Sequence, residues 1–272
     1  MSVVCYHRLF ATSYLLRWGV ELIDTHAHLA CDSFLKDWDE VVYRAIEGGI
    51  KGIVCIICEF EEMALYLRIA EKYNTVYGAV GIHPHDAKDY DKNWKMLEEG
   101  LRLPRIKAVG EIGLDYYYKN SSPDRQRGVF QEQLQWAKLH KLPVIVHSRE
   151  AIQDTMEIMK RFSPLEGVMH CFSGSQETME RFLDMGLFVS FAGPVTFPNA
   201  KNLDILVKSI PPERLLVETD SPYLAPQPKR GKRNEPGFLH YIIEEIANKR
   251  KEDTKVIERI TEENARKLFK LI

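Results

Sequence analysis

The chain has 272 residues and a formal net charge of −2, because 37 lysine and arginine residues are offset by 39 aspartate and glutamate residues. This near balance excludes a strong overall positive field, so a polyanionic substrate would have to be bound by local contacts. A chain of this length buries about three quarters of its unfolded surface, so its stability needs no disulfide or structural metal. No apolar run approaches the roughly 18 residues of a membrane-spanning helix, and we expect no membrane partner.

The five cysteines are odd in number and lack the regular spacing of a disulfide framework, which predicts reduced thiols in a cytoplasmic protein. Cys55 and Cys58 have the spacing of a redox pair or of half a zinc site. The chain offers no second pair with this spacing, and the apolar segment GIVCIIC that contains them favours a buried strand.

Residues 1–19 have two interpretations. They carry Arg8 and Arg17, no acidic residue and no small-residue cleavage site, as in a weak targeting sequence. Alternatively, the start was assigned too far upstream and the natural start is Val20. We favour the second interpretation, because VELIDTHAHL begins where a first strand is expected. The sequence therefore predicts an N-terminal extension over 1–19 and a single domain over 20–272.

From residue 20 onward, short apolar runs rich in valine and isoleucine alternate with amphipathic segments, as in parallel strands joined by helices. The predicted strands span residues 20–25, 52–58, 75–82, 106–110, 143–146, 166–169, 187–191 and 214–218. Ser122 as a cap and Pro123 at the first helical position predict a helix over 123–140, and apolar spacing predicts a last helix over 254–271. Eight such units predict a TIM (β/α)8 barrel, since an open doubly wound sheet would need a glycine-rich phosphate loop after its first strand.

Side chains that bind metals or transfer protons follow six of the eight predicted strands. They are His26 and His28, His83, Glu111, His147, His170 and Asp220. In a barrel, the carboxyl ends of the strands meet on one face, where the loops form the active site. A lone histidine at a strand end is usually structural, but without His83 the set still has four imidazoles and two carboxylates, which are costly to bury together without a cation. The pattern therefore predicts a pair of divalent metal ions.

Several sequence strings resemble the TatD family of metal-dependent hydrolases over residues 20–272. They are DTHAHL, GIHPHDA, AVGEIGLDY, PVIVHSRE, HCFSG, ETDSPYLAP and RGKRNEP. The resemblance implies a TIM barrel of the amidohydrolase type, in which the metal ligands are His26, His28, Glu111, His147, His170 and Asp220. Some members of the family lack the first histidine pair, which this chain has.

The resemblance also implies how the ligands divide between two ions. His26, His28 and Asp220 would hold one ion together with Glu111. His147 and His170 would hold the other, so that Glu111 bridges the two. Many related amidohydrolases use a carbamylated lysine as the bridge, but Lys107 is at the very start of the fourth strand and is predicted to lie too far from the barrel mouth.

The expected catalytic residues are Glu111, Asp220 and His83. Asp220 would accept a proton from the attacking water or deliver one to the leaving group. Histidine-rich ligation favours zinc or manganese, while members of the family that are nucleases are often supported by magnesium.

Candidate substrate contacts surround these residues. By resemblance, His83 faces the substrate, and Ser173 and Arg230 lie in family motifs. Arg149 has two interpretations: it can clamp a phosphate, or it can form an internal ion pair with Glu150 or Asp115. The basic run that contains Lys229, Arg230, Lys232 and Arg233 is predicted either to be solvated surface or to follow a nucleic-acid backbone.

Two further candidate groups also have more than one interpretation. His85 is predicted to cap its loop rather than to take part in the chemistry. Tyr116, Tyr117 and Tyr118 can stack on bases, although we expect at least two of them to pack against neighbouring loops.

The resemblance implies cleavage of phosphodiester bonds, with single-stranded DNA or RNA shortened from the 3′ end. A second hypothesis keeps the metal centre and assigns amide or ester hydrolysis, such as deacylation of aminoacylated RNA. A third, a metal-stabilised binding or scaffold protein without turnover, would be indicated by a missing ligand or a lost Asp220, and the sequence has neither. His83 and the basic loop favour phosphate. No obligate protein partner is evident from the sequence.

Overall fold

The computed structural model of the protein describes residues 21–271, apart from the side chains of residues 92 and 93. The predicted extension over 1–19 lies outside the described residues. Eight parallel strands form one sheet in the order in which they occur along the chain. They are β1 (Leu22–Ala27), β2 (Ile50–Ile57), β3 (Val76–Val80), β4 (Ile106–Asp115), β5 (Val144–Arg149), β6 (Gly167–Met169), β7 (Phe188–Phe191) and β8 (Leu215–Val217).

Hydrogen bonds between β1 and the segment after β8 bring the two ends of the sheet together. Ala27 pairs with Ser221 in a parallel bridge. The Asp220 N–H donates to the His26 carbonyl at 2.9 Å, and the His28 N–H donates to the Ser221 carbonyl at 2.7 Å. The sheet is therefore a nearly closed barrel, and the predicted TIM (β/α)8 fold is confirmed.

Helices follow the strands and cover the outside of the barrel. They are α1 (Trp38–Glu47), α2 (Glu62–Lys72), α3 (Tyr90–Gly100), α4 (Pro123–His140), α5 (Ile152–Phe162), α6 (Gln176–Asp184), α7 (Lys201–Ser209), α8 (Leu239–Arg250) and α9 (Thr254–Phe269). α4 begins as predicted, because the Ser122 hydroxyl accepts a hydrogen bond from the Arg125 N–H at 3.3 Å. None of the helices within residues 21–271 is long and apolar enough to cross a membrane.

The apolar core has two layers. Side chains such as Ile23, Val54 and Ile145 fill the inside of the barrel, and Leu268 and Phe269 of α9 pack against this cluster. A larger layer lies between the strands and the surrounding helices. Packing of α9 on the inner cluster closes the barrel at the amino ends of its strands, so the opposite face remains open for a site.

Two buried glutamines of α4 hold the carboxyl ends of two strands. Gln133 bonds both backbone groups of Ile82, accepting from its N–H at 2.7 Å and donating to its carbonyl at 2.9 Å. Gln126 does the same for Asp115, with both distances 2.8 Å. These contacts fix the backbone directly before His83 and at the end of β4.

Gln133→Ala is expected to lower the free energy of unfolding by roughly 1–3 kcal/mol for each backbone group of Ile82 that loses its partner. Urea unfolding measures the change. Gln135→Ala is the matched control, because Gln135 lies on the same helix and is exposed. Equal stabilities for the two variants would show that Gln133 does not hold this strand end.

Candidate metal centre

A cavity of about 1130 Å³ opens at the carboxyl ends of the strands. The predicted site residues that line it are His28, His83, Glu111, His147, Arg149, His170, Ser173 and Asp220. His26 lies fully buried directly behind His28. Residues from six of the eight βα units thus meet on one face, as the barrel geometry requires.

Glu111 lies at the centre of the site. Its Oε1 is 2.8 Å from His170 Nε2 and 2.9 Å from His147 Nδ1. Its Oε2 is 3.4 Å from His26 Nε2 and 3.6 Å from His28 Nε2. Each oxygen of one carboxylate therefore faces its own pair of histidines.

Asp220 adds a second carboxylate beside the His26 and His28 pair. Its Oδ1 lies 3.6 Å from His26 Nε2 and 3.5 Å from His28 Nε2. The two Nε2 atoms are themselves only 3.2 Å apart. Potential metal-ligand atoms lie within 4.8 Å of one another in three groups: His26, His170 and Asp220; His26, His28 and Glu111; His83, Glu111 and His147.

A buried carboxylate behind the centre orients His170. Glu218 Oε1 lies 3.1 Å from His170 Nδ1 and accepts a hydrogen bond from the Cys171 N–H at 2.6 Å. Its Oε2 accepts from the Ser190 hydroxyl at 2.5 Å. In a neutral His170, the proton therefore resides on Nδ1, and the lone pair of Nε2 faces Glu111.

Asp115 orients His147 in the same way. Its Oδ2 lies 3.2 Å from His147 Nε2 and 3.0 Å from His85 Nε2. With the Nε2 proton directed at Asp115, the Nδ1 lone pair of His147 faces Glu111. His85 therefore forms a structural contact between loops.

The electrostatics of the centre favour positive charge. Although burial opposes ionisation, the neighbouring histidines hold the pKa of Glu111 well below its usual range. Burial likewise opposes ionisation of Asp220, but its hydrogen bond with His28 and the nearby histidines lower its pKa. Burial alone would lower the pKa of His170, but Glu111 and Glu218 raise it well above its usual value.

His83 has its proton on the side of the cavity. Its Nδ1 accepts a hydrogen bond from the His85 N–H at 3.2 Å, and its Nε2 lies 3.6 Å from Glu111 Oε1. Burial lowers the pKa of His83, which favours the neutral ring. A neutral ring with an accepting Nδ1 carries its proton on Nε2, so His83 presents a donor to the cavity.

The sequence of the chain is similar to those of known metal-dependent hydrolases. A family model described as TatD related DNase matches residues 23–270. The chain belongs to this family. It is 40% identical to the uncharacterized metal-dependent hydrolase YabD of Bacillus subtilis over 253 residues, which cover 92% of this chain and 99% of that protein. The TatD fold and the metal-dependent hydrolase class predicted from the sequence are thus confirmed.

Two further TatD relatives cover nearly the same length. One, named 3′-5′ ssDNA/RNA exonuclease TatD, from Edwardsiella piscicida, is 37% identical and aligns with 92% of this chain and all of its own length, 100%. The other is a solved structure of YJJV, a TatD homologue from Escherichia coli, with a TM-score of 0.86 and 32% identity. It covers 92% of this chain and 98% of its own.

The structure contradicts one of the two interpretations of Arg149, the internal ion pair. Within residues 21–271, its guanidinium forms no ion pair with Glu150 or Asp115. It lies instead 4.0 Å from the ring centroid of Tyr117 and 4.8 Å from that of Tyr118. An exposed cation on two aromatic rings keeps its N–H donors available to a ligand of this TatD-family site.

The basic loop is not brought to the cavity. Arg230 lies over the ring of Phe197 at 5.0 Å. Arg233 donates bidentately to Asp37 at 2.9 and 2.6 Å. Lys229, Arg230, Lys232 and Arg233 are absent from the described residues that line the cavity. Arg149 is the one lysine or arginine among those lining residues.

Four buried carboxylates of this TatD-family site were not predicted as site residues: Asp24, Glu62, Asp115 and Glu218. Asp24 accepts from the Thr219 N–H at 2.9 Å, and burial raises its pKa to about 7. Asp24 and Glu218 each precede a predicted ligand by two residues. Asp24 and His26 both lie on β1, where residues two apart share a face, so for this pair the spacing was a usable signal.

Proposed function

We propose that the protein is a two-metal phosphodiesterase that shortens single-stranded DNA or RNA from the 3′ end. The observation that carries this proposal is the two-sided position of Glu111, whose oxygens face separate histidine pairs. The name of the Edwardsiella relative, an exonuclease on single-stranded DNA and RNA, supports the same reaction.

The donor set fits two divalent cations. His26, His28 and Asp220 would hold one of them with Glu111 Oε2. His147 and His170 would hold the other with Glu111 Oε1. The ring nitrogens, which lose any proton facing the carboxylates when a cation binds, would be ligands for zinc or manganese, and the carboxylates also suit magnesium.

Bound divalent metals would polarise a phosphoryl oxygen and make water a nucleophile near neutral pH. Residues of the chain transfer the proton and bind the phosphoryl oxygen. Asp220, which lines the cavity beside His28, accepts the proton of the attacking water or gives one to the leaving oxygen. The Nε2–H of His83 donates to a non-bridging phosphoryl oxygen.

Arg149 would hold the phosphate next to the scissile one. Its guanidinium lines the same cavity as Asp220 and His83 and has no acidic partner among the described residues. A planar cation with free donors suits a phosphate better than the neutral carbonyl of an ester or amide. Ser173 lines the cavity as well and offers a hydroxyl there. Arg230 would act only from outside this cavity.

Hydrolysis rates on a small substrate panel test the proposed reaction. Protein loaded with manganese, zinc or magnesium should hydrolyse methyl nitrophenyl phosphate, a phosphodiester, with a higher kcat/KM than nitrophenyl acetate, a carboxylic ester. The metal-free protein is the control for both substrates. Faster hydrolysis of the carboxylic ester, together with deacylation of aminoacylated RNA, would replace the phosphodiesterase by an acyl hydrolase.

Glu218→Gln is expected to weaken metal affinity by about 10–100-fold, since an amide is a weaker acceptor for the Nδ1 proton of His170. Isothermal titration with manganese measures the affinity. Glu213→Gln, which alters an exposed carboxylate before β8, is the matched control. Wild-type metal affinity in a less stable Glu218→Gln protein would mean that Glu218 only supports the fold.

A further inference from the structure

Two exposed tyrosines line the cavity from different loops. Tyr118 follows β4 and is 53% exposed, and Tyr223 follows β8 and is 57% exposed. The other aromatic side chains among the described lining residues, Phe172 and Phe191, are buried. In a barrel of eight strands, β4 and β8 are four positions apart, so the two tyrosines approach the metal centre from opposite sides.

Each tyrosine is held against the histidine array. Tyr223 packs edge to face with His28, with ring centroids 5.6 Å apart, and Tyr118 packs in the same way with His85 at 5.3 Å. The backbone on both sides is fixed as well. The Tyr118 N–H donates to Asp115 at 3.0 Å, and the Tyr223 carbonyl accepts from Asn234 at 2.6 Å. These rings are pre-positioned, so a ligand that stacks on them orders little of the protein.

Acidic residues line the cavity on both sides, with Asp86 and Asp115 near Tyr118, but the one arginine among the described lining residues lies on the Tyr118 side. Arg149 lies beside Tyr118, where a phosphate can be bound. Asp32, Glu59 and Glu61 line the cavity beyond β1 and β2, the side on which Tyr223 contacts His28. A second phosphate would be repelled there, so a polynucleotide on this side has to be held by uncharged contacts.

The size of the cavity fits more than one nucleotide. Its volume of about 1130 Å³ exceeds the roughly 300–1,000 Å³ of most small-ligand pockets. Tyrosine rings stack on any base, because every base has an aromatic face. Paired bases inside a duplex have no free face, whereas those of a single strand do.

We infer that Tyr118 and Tyr223 stack on two unpaired bases, one on each side of the scissile phosphodiester, and that the protein selects single strands by their free bases. This inference rests on the proposed function and names its specificity-determining residues. Arg149 binds the phosphate beside the base on Tyr118. The base on Tyr223 holds the strand where acidic residues preclude a phosphate contact.

The test compares two single-stranded oligonucleotides with the same number of phosphates. One has normal 3′-terminal nucleotides, and the other has abasic residues in those positions. Loss of the stacked bases should lower kcat/KM of the metal-loaded wild-type protein by roughly tenfold or more. The ratio of kcat/KM for the normal oligonucleotide to kcat/KM for the abasic one measures this effect. In the double variant Tyr118→Ala, Tyr223→Ala this ratio should fall close to one.

Conservative and distant variants are the controls. Replacement of both tyrosines by phenylalanine, Tyr118→Phe and Tyr223→Phe, retains the rings and should retain the ratio. Tyr43→Ala should also retain it, because Tyr43 is 60% exposed and is not among the residues that line the cavity.

Equal rates on both oligonucleotides, or an unchanged ratio in the double alanine variant, would overturn the stacking role alone. Failure to hydrolyse any phosphodiester would instead overturn the proposed function, and the stacking inference with it.

Discussion

Glu111→Gln is expected to lower metal occupancy from the proposed two ions to at most one and to reduce kcat/KM roughly a thousandfold, equivalent to about 4 kcal/mol of transition-state stabilisation. A neutral amide is a poor bridge between two cations, and each oxygen of Glu111 faces a different histidine pair. Elemental analysis of the protein after dialysis measures occupancy, and hydrolysis of a small phosphodiester measures turnover.

Glu213→Gln is again the control, because it makes the same chemical change at an exposed position. Circular dichroism verifies that the Glu111→Gln variant retains its helices. Two fully occupied metal positions in this variant would contradict the assignment of Glu111 as the bridge.

Asp220→Asn is expected to reduce kcat about a hundredfold to ten-thousandfold on both oligonucleotides and small phosphodiesters, because the amide can neither accept nor donate the catalytic proton. Steady-state kinetics at saturating metal measure the loss. Asp184→Asn is the matched control, since Asp184 is exposed at the end of α6.

The leaving group distinguishes the two proton-transfer roles of Asp220. A nitrophenolate departs without a proton, so a smaller loss with this substrate would assign Asp220 to the leaving oxygen. Equal losses, with metal occupancy unchanged from the wild type, would assign it to the attacking water. A kcat within tenfold of the wild-type value on every phosphodiester would contradict both roles.

The fold was predictable because its signals are local. Apolar runs of strand length alternate with amphipathic helices, and the Ser122 cap with Pro123 specifies the start of α4 without tertiary information. Strand boundaries were less accurate, and β4 is the clearest case. The sequence predicts its end at residue 110, but it continues to Asp115.

The extra length of β4 comes from pairing with β5. Gly113 pairs with His147, and Asp115 pairs with Arg149. Glutamate, glycine and aspartate are poor strand formers, so the segment EIGLD carries only a weak strand signal, the alternation of Ile112 and Leu114. As a result, Glu111 lies in the middle of β4 rather than after its end, and its side chain lies among the four histidines.

The candidate metal ligands were predictable for a different reason. Their positions depend on one rule, the convergence of strand ends in a barrel, and all six lie together in the structure. Arg149 and the basic loop depend on long-range contacts that no local pattern encodes. Arg233, for example, is paired with Asp37, which is 196 positions away in the chain. Tyr117 and Tyr118 are about half exposed, and Tyr118 also packs against His85 of a neighbouring loop.

Digestion of a 5′-labelled single-stranded oligonucleotide by the metal-loaded protein tests the central claim most directly. Products resolved by length should form a ladder in which the labelled strand shortens one nucleotide at a time from its 3′ end. The blunt duplex of the same sequence should be degraded slowly, and a chelator should stop both reactions. An intact labelled strand, with aminoacyl esters hydrolysed under the same conditions, would contradict the account.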